Sequence, residues 1–222
     1  MRDISYDRYV YIVCIFLDDM NYTKIPSKEI IDKTASALKA NGIEVYISKD
    51  GDDAKKKIFE LLPKGAEVMN MTSVTLDELG ISADINNSGN FNSVHKKLKS
   101  MDRKTQGSEM RKLGAAPEWT IGSVHAVTED GKIMIASNTG SQLPAYVYGA
   151  SNVIWVVGMQ KIVKNIDEGF KRIYEHTLPL ESERAKKAYG VPGSAVNKLL
   201  IVNHENIKGR INLIFVPEVL GY

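Results

Sequence analysis

Cysteine is almost missing from this chain: Cys14 stands alone among 222 residues. A single thiol makes no internal disulfide and no cysteine-ligated cluster, so any iron–sulfur or cysteine-rich zinc centre has to belong to a partner, and the usage fits a reducing cytoplasm. A charge excess is missing too. Lys and Arg number 29 against 27 Asp and Glu, a net charge of +2, which is too balanced for a dedicated nucleic-acid surface. The basic cluster Lys96, Lys97, Lys99, Arg103, Lys104 and Arg111 is read as a solvated face. The apolar run at residues 9–17 covers nine positions, well short of the roughly 20 that span a bilayer. Asp3 and Asp7 precede it and no small-residue cleavage site follows, so a buried strand or an apolar flap used in dimerisation is expected rather than a secretory signal. No internal repeat and no low-complexity segment is visible.

What is present is an ordinary globular composition, 43% apolar and 25% charged, on a chain long enough for a sizeable core. Ser27 can cap a helix in which Ile30, Ile31, Thr34 and Leu38 recur at three- and four-residue spacing until Asn41-Gly42. Residues 43–48 alternate as a strand, Asp52 or Asp53 can cap a second helix ending at Pro63, and residues 66–71 form another strand. Helix, strand, helix, strand predicts parallel pairing with right-handed crossovers, hence a doubly wound α/β sheet. Residues 86–92 read as a loop, a helix carries Val94, Leu98 and Met101, and residues 102–109 read as an exposed mobile stretch able to act as a lid. The apolar run 152–157 reads as a central strand. Helices are expected at 166–174 and 180–189, and closing strands at 198–202 and 211–216.

The stretch 119–161 carries most of the functional signal. Asp130-Gly131 between two apolar runs predicts a hairpin; a two-residue turn there pairs residues whose numbers total 261, placing Ser123 opposite Asn138. Ser123, His125, Val127, Glu129 and Asn138 then share one face. Glu129 is expected to pair with Lys132, and Trp119 to anchor the hairpin base. Gly140 permits a turn after which Ser141 can cap a helix whose first turn holds Pro144. Ser73 to Gly80 offers a second helix start, with Thr75 and Glu78 at capping-box spacing. Both helix starts aim free N–H groups outward, as anion cradles do. Lys161 follows the central strand at its carboxyl end, where open α/β sheets place ligands.

In order, Ser73-x-Thr75-Leu76-x-Glu78-x-Gly80, His125-Ala126-x-Thr128-Glu129-x-Gly131, Asn138-x-Gly140-Ser141, Val153-Ile154-x-Val156-x-Gly158-x-x-Lys161-Ile162-Val163 and Glu218-x-x-Gly221-Tyr222 resemble the LUD domain family, the lactate utilization protein C-like proteins. The resemblance divides the chain into an N-terminal extension, 1–26, and a LUD domain, 27–222. It implies an α/β, three-layer sheet-and-helix fold similar to the NagB/RpiA/CoA transferase-like superfamily, and a role in bacterial lactate oxidation to pyruvate. Relatives in that system supply the iron–sulfur domains. Some carry a cysteine cluster where this chain has residues 190–197 and no cysteine, which argues against a direct redox role.

The candidate site that follows has His125 as a catalytic proton carrier, given a reference pKa near 6.5. Ser73, Thr75, Glu78, Gly122, Ser123, Asn138, Thr139, Gly140, Ser141, Gln142 and Lys161 are its ligand-binding set. No second His or Cys lies at ligand spacing from His125, so no metal site is assigned. The expected ligand is a small anionic metabolite or cofactor whose identity the sequence leaves open. Iron–sulfur partner subunits and a second copy of this chain are candidate partners, and no nucleic acid or membrane is expected. The other readings are a noncatalytic subunit docking an iron–sulfur partner and, by analogy of fold, an isomerase or CoA-transferase-like enzyme.

Overall fold

The computed structural model describes residues 22–222, so the strand or flap expected at residues 9–17 lies outside the described residues. Helix α1 (Lys28–Ala40) starts at Ser27, whose hydroxyl accepts from the Ile30 N–H at 3.4 Å, and it buries Ile31, Thr34, Ala35 and Leu38 along one stripe. Strand β1 (Glu44–Ile47) and helix α2 (Gly51–Leu61) follow. The cap of α2 is Asp50, not Asp52 or Asp53: its carboxylate accepts from Asp53 N–H at 2.8 Å while Asp53 reaches back to Lys49 N–H at 3.1 Å. One first-turn donor and the N–H just before the cap are thereby satisfied.

After β2 (Glu67–Asn70) come two short helices, α3 (Val74–Glu78) and α4 (Ile81–Asn87). Ser73, rather than Thr75, caps α3. Strand β3 (Asn92–Ser93) leads into α5 (Val94–Ser100) and then α6 (Arg103–Ala115). The stretch expected to be a mobile loop at 102–109 is therefore helical. Asp102 caps it through the Lys104 N–H at 2.9 Å, yet none of its side chains is buried, which is why no apolar period marked it.

Strands β4 (Trp119–Gly122), β5 (Ala126–Thr128) and β6 (Ile133–Ser137) come next, then a wide π-helical turn at Ala145–Gly149 and β7 (Asn152–Gly158). Strand β8 (Ile162–Val163) precedes α7 (Ile166–Lys171), which runs through a second π-turn, Arg172–Thr177, into α8 (Leu178–Tyr189). Strands β9 (Lys198–Val202) and β10 (Ile211–Val216) complete the set.

The strands form two sheets. A six-stranded sheet has the order β1-β10-β7-β4-β2-β3 with every pair parallel, and a four-stranded sheet has the order β8-β5-β6-β9. On one face of the large sheet Val153, Trp155, Val157, Leu213 and Phe215 pack against α1, against Val124 and against Val127, Ile133 and Ile135 of the small sheet. The alternate residues Ile154, Val156, Ile214 and Val216 pack against Ala54 and Ile58 of α2 and Leu76, Ile81 and Ile85 of α3 and α4. Continuous apolar runs such as 152–157 are what a strand covered on both faces requires. The outer face of the small sheet, Ala126, Met134 and Ala136, takes Ile173. The fold is α/β with a parallel sheet between helical and mixed layers.

The hairpin register differs from the expected one. Ala126 pairs with Met134 and Val127 with Ile133, so partner numbers total 260, and Ser123 is not the strand partner of Asn138. The cause is a three-residue connection, Glu129-Asp130-Gly131, in which Gly131 adopts φ +81° and donates to the Thr128 carbonyl at 2.8 Å. A left-handed glycine in third position is the usual closure of such a loop. Here it also lets the loop lie on α1: a Cβ at Gly131 would stand 2.7 Å from the Ala37 carbonyl carbon. Glu129 accordingly pairs with Lys33 of α1 at 2.7 Å instead of with Lys132, which contacts Asp130. Trp119 does not sit at a hairpin base. It opens β4 in the large sheet, because residues 121–127 are two strands in two sheets joined by the crossing Ser123-Val124-His125.

Candidate functional site

The carboxyl ends of β2, β4, β7 and β10 open onto one cleft of about 640 Å³. Its walls are Met71 to Thr75 beyond β2, the 123–125 crossing, the end of β6 with Asn138 and Thr139, Lys161, the inward side of α8, and Gly221 and Tyr222. Parallel strands leave their loops at this end, and the loops rather than the strands carry the polar groups.

Lys161 sits at the centre of the wall and is 2% exposed. Its Nζ donates to Thr75 Oγ1 and to Ser123 Oγ, both at 3.1 Å, and it takes part in no ion pair among the described residues. Thr75 cannot return a proton, because its own hydroxyl is directed to the Leu220 carbonyl at 3.3 Å. Burial, reinforced by the Arg172 guanidinium and only partly opposed by Glu78, pushes the Lys161 pKa down to about 7. A buried cation whose hydrogen bonds go only to hydroxyls is costly, since Glu78 acts from a distance and forms no ion pair with it.

Arg172 is the second such cation. It is fully buried, its Nη1 donating to the His125 carbonyl and to Thr177 Oγ1 at 3.1 Å, while Nε and Nη2 have no hydrogen-bond partner among the described residues. Sequence reasoning passed over it. The available signal was helical spacing, because Gly169, Arg172, Ile173 and Thr177 fall on one buried stripe and an arginine there is anomalous.

His125 lines the cleft, but its Nδ1 accepts from the Ala136 N–H at 3.1 Å, which leaves Nε2 to carry the ring proton. Burial first, then Lys161 and Arg172, push its pKa down to about 3. The imidazole is thus neutral at working pH and presents a hydrogen-bond donor rather than a free base.

Of the remaining expected residues, Ser73, Thr75, Ser123, Asn138, Thr139, Gln142 and Lys161 line the cleft, and Glu78, Gly122, Gly140 and Ser141 do not. Glu78 accepts from the Gly221 N–H at 2.7 Å and so fixes the wall segment at 218–222. Gly122 makes room, since a Cβ there would stand 1.8 Å from the Tyr146 hydroxyl, and Tyr146 is a wall residue. Gly140 N–H donates to Ser137 Oγ at 2.8 Å. Ser141 caps no helix: its hydroxyl accepts from Thr139 at 3.1 Å, and Pro144 precedes the π-turn without a side-chain cap. Asn138 accepts from Asn197 at 2.9 Å. Both helix starts proposed as anion cradles belong to segments of five residues, too short for a strong terminal dipole.

Further wall residues went unread in the sequence. Glu181 of α8 is gripped by Arg184 through two bonds of 2.7 Å and also accepts from the Tyr222 hydroxyl at 3.0 Å. Arg103 at the start of α6 reaches the cleft with no ion pair among the described residues. Lys161, Arg103 and Arg184 on the wall thus face only Asp77 and Glu181, with Arg172 behind them. Among the described residues no group of three His, Cys, Asp or Glu is placed to hold a metal, and no helix is long and apolar enough to cross a membrane.

A parallel α/β sheet with a cleft over the carboxyl ends of its strands defines the class as an open α/β sheet. Residues 31–216 match the model of the LUD domain family, and the chain belongs to that family. Among solved structures, it is similar to a DUF162 family protein from Deinococcus radiodurans at 12% identity, covering 85% of this chain and 95% of that one with a TM-score of 0.50. That likeness speaks for the fold alone. Weaker likenesses are to eIF2B delta from Chaetomium thermophilum, at 13% identity over 65% of this chain and 58% of that one with a TM-score of 0.34. Ribose 5-phosphate isomerase from Plasmodium falciparum gives 16%, 58%, 66% and 0.32 for the same quantities. No curated protein gives a significant match.

Proposed function

We propose that the cleft binds a small anionic metabolite or cofactor and that this binding serves lactate utilisation, the role the family's name indicates. One observation carries the reading: Lys161 is buried on the cleft wall with two hydroxyls as its hydrogen-bond partners and no ion pair among the described residues. An anion in the cleft supplies the missing counter-charge, and the unpaired Arg172 behind the wall adds to the attraction. Ser73, Ser123 and Gln142 offer hydroxyl and amide groups for its remaining lone pairs, and neutral His125 offers a donor. The wall mixes polar groups with apolar surface, and the volume suits a metabolite-sized ligand.

The test is a thermal-shift screen of the protein with lactate, pyruvate, sugar phosphates and CoA, each compared with the Lys161→Ala variant. The expected result is an upward shift by at least one of these anions that is lost in the variant. Equal shifts in both proteins, or none with any anion, would remove the basis of the reading.

A further inference from the structure

The amine that attracts an anion has a second capability, and the inference here rests on the same cleft. We propose that Lys161 is a nucleophile that condenses with the carbonyl carbon of a small keto or aldehydo acid held in the cleft, forming an imine.

Three features of the geometry carry it. The Nζ is buried yet on the cleft wall, so it is approached only from the cleft side. Its neighbours are hydroxyls, and no carboxylate is close enough to lock it as an ammonium ion among the described residues. The two hydroxyls are not equivalent. Thr75 has committed its proton to the Leu220 carbonyl and can only accept from the amine, which fixes the direction of one N–H. Ser123 has no other hydrogen bond among the described residues and is free to receive or return a proton at the nitrogen.

The step balances without an oxidant. The nitrogen lone pair forms the N–C bond, and the carbonyl π pair moves to oxygen, which takes a proton. Loss of that oxygen as water with the amine's two hydrogens leaves C=N. Ser123 is placed to relay a proton between nitrogen and oxygen. The acid's carboxylate answers the same cationic surroundings, Arg103 at the rim and Arg172 behind, that favour an anion. Reactivity is supported by protonation state. An ordinary lysine has roughly one amine in 2,500 unprotonated at neutral pH. Burial and the neighbouring guanidinium bring Lys161 down to about 7, so about half of its population is free amine there.

The experiment uses the unmodified protein, incubated near neutral pH with glyoxylate and sodium cyanoborohydride, which reduces an imine to a stable secondary amine. Cleavage by a protease that does not depend on lysine, followed by peptide mass analysis, reads the adduct at each position. The expected result is an adduct at Lys161 exceeding that at the exposed Lys96 and Lys187 by at least about tenfold. Labelling at Lys161 equal to or below theirs overturns the inference, and because this comparison is internal to one folded protein it does not rely on a variant that folds. The two readings separate cleanly. Anion-induced stabilisation without a Lys161 adduct leaves the binding site standing and removes the imine; an adduct without such stabilisation does the reverse.

Discussion

Replacing Lys161 by Met should make the protein more stable while emptying its site of function. The folded state binds the Lys161 proton more weakly than the unfolded chain does, with a pKa moved from 10.5 to about 7. Folding at pH 7 therefore costs the work of deprotonating or burying this amine, a ceiling of about 4 kcal/mol at about 1.4 kcal/mol per pKa unit. Met has a similar length and no charge, so the variant avoids that cost. It forfeits the hydrogen bonds to Thr75 and Ser123, worth about 1 kcal/mol each. Thr75 keeps its bond to Leu220 and Ser123 is half-exposed to the cleft, so neither is left as an orphaned donor. The net expectation is a gain of about 2 kcal/mol, or a Tm rise of about 4–8 °C for a chain of this size. Urea denaturation at several pH values gives the signature. A depressed lysine pKa costs stability fully below about 7 and not at all above 10.5, so the advantage of Lys161→Met should shrink steadily as pH rises between those limits. A variant less stable than the parent at pH 7, or one whose difference is the same at pH 7 and pH 10, would refute the account of Lys161 as an uncompensated buried cation.

Affinity for a carboxylate ligand should fall about tenfold from about pH 6.5 to about pH 8, as the Lys161 ammonium is lost. The groups facing it do not mask this: His125 is neutral throughout, Arg172 has its pKa pushed down only to about 10, Glu78 holds the Gly221 N–H and Glu181 is held by Arg184. Titration calorimetry across that range checks the trend, and a flat profile contradicts it. Gly131→Ala forces a Cβ into α1 from a left-handed backbone and should cost about 2–4 kcal/mol in urea denaturation. Glu205→Ala removes the partner of Arg210, an ion pair of 2.7 Å whose side chains are only 4% and 11% exposed. It should cost about 3 kcal/mol, and a loss below about 1 kcal/mol would show the Arg210 bonds to the Ala145, Tyr146 and Ala150 carbonyls suffice on their own.

The parts of the fold legible in the sequence were those where a local signal and tertiary packing agree. The Ser27 cap with its apolar stripe gave α1, and the unbroken run at 152–157 gave the central strand β7. Helix α6 escaped because it buries nothing, and α4 because only Ile81 and Ile85 mark it before a run of Asn and Gly. The hairpin shows a different limit. Asp-Gly signals a turn, but whether Glu129 belongs to it depended on α1 lying against Gly131, a contact 90 residues away in sequence that no local pattern encodes. In the site, Lys161 was placed by the rule of strand carboxyl ends, whereas Arg172 required noticing a cation on a buried helical stripe. The depressed pKa of His125 was beyond reach, because it comes first from burial and then from Lys161 and Arg172, all of them set by folding.

The Ser123-Val124-His125 crossing is the seam where the chain leaves the parallel sheet and enters the mixed one, and it is also part of the cleft wall. Each of its three residues is anchored differently: Ser123 by Lys161, Val124 in the core between the sheets, His125 by the Ala136 N–H and by Arg172 through its carbonyl. A ligand resting on Ser123 therefore presses on a joint rather than on a surface. If a ligand binds there, its effect on the backbone reaches β4 on one side and β5 on the other, so amide exchange in both strands should slow together when ligand is added.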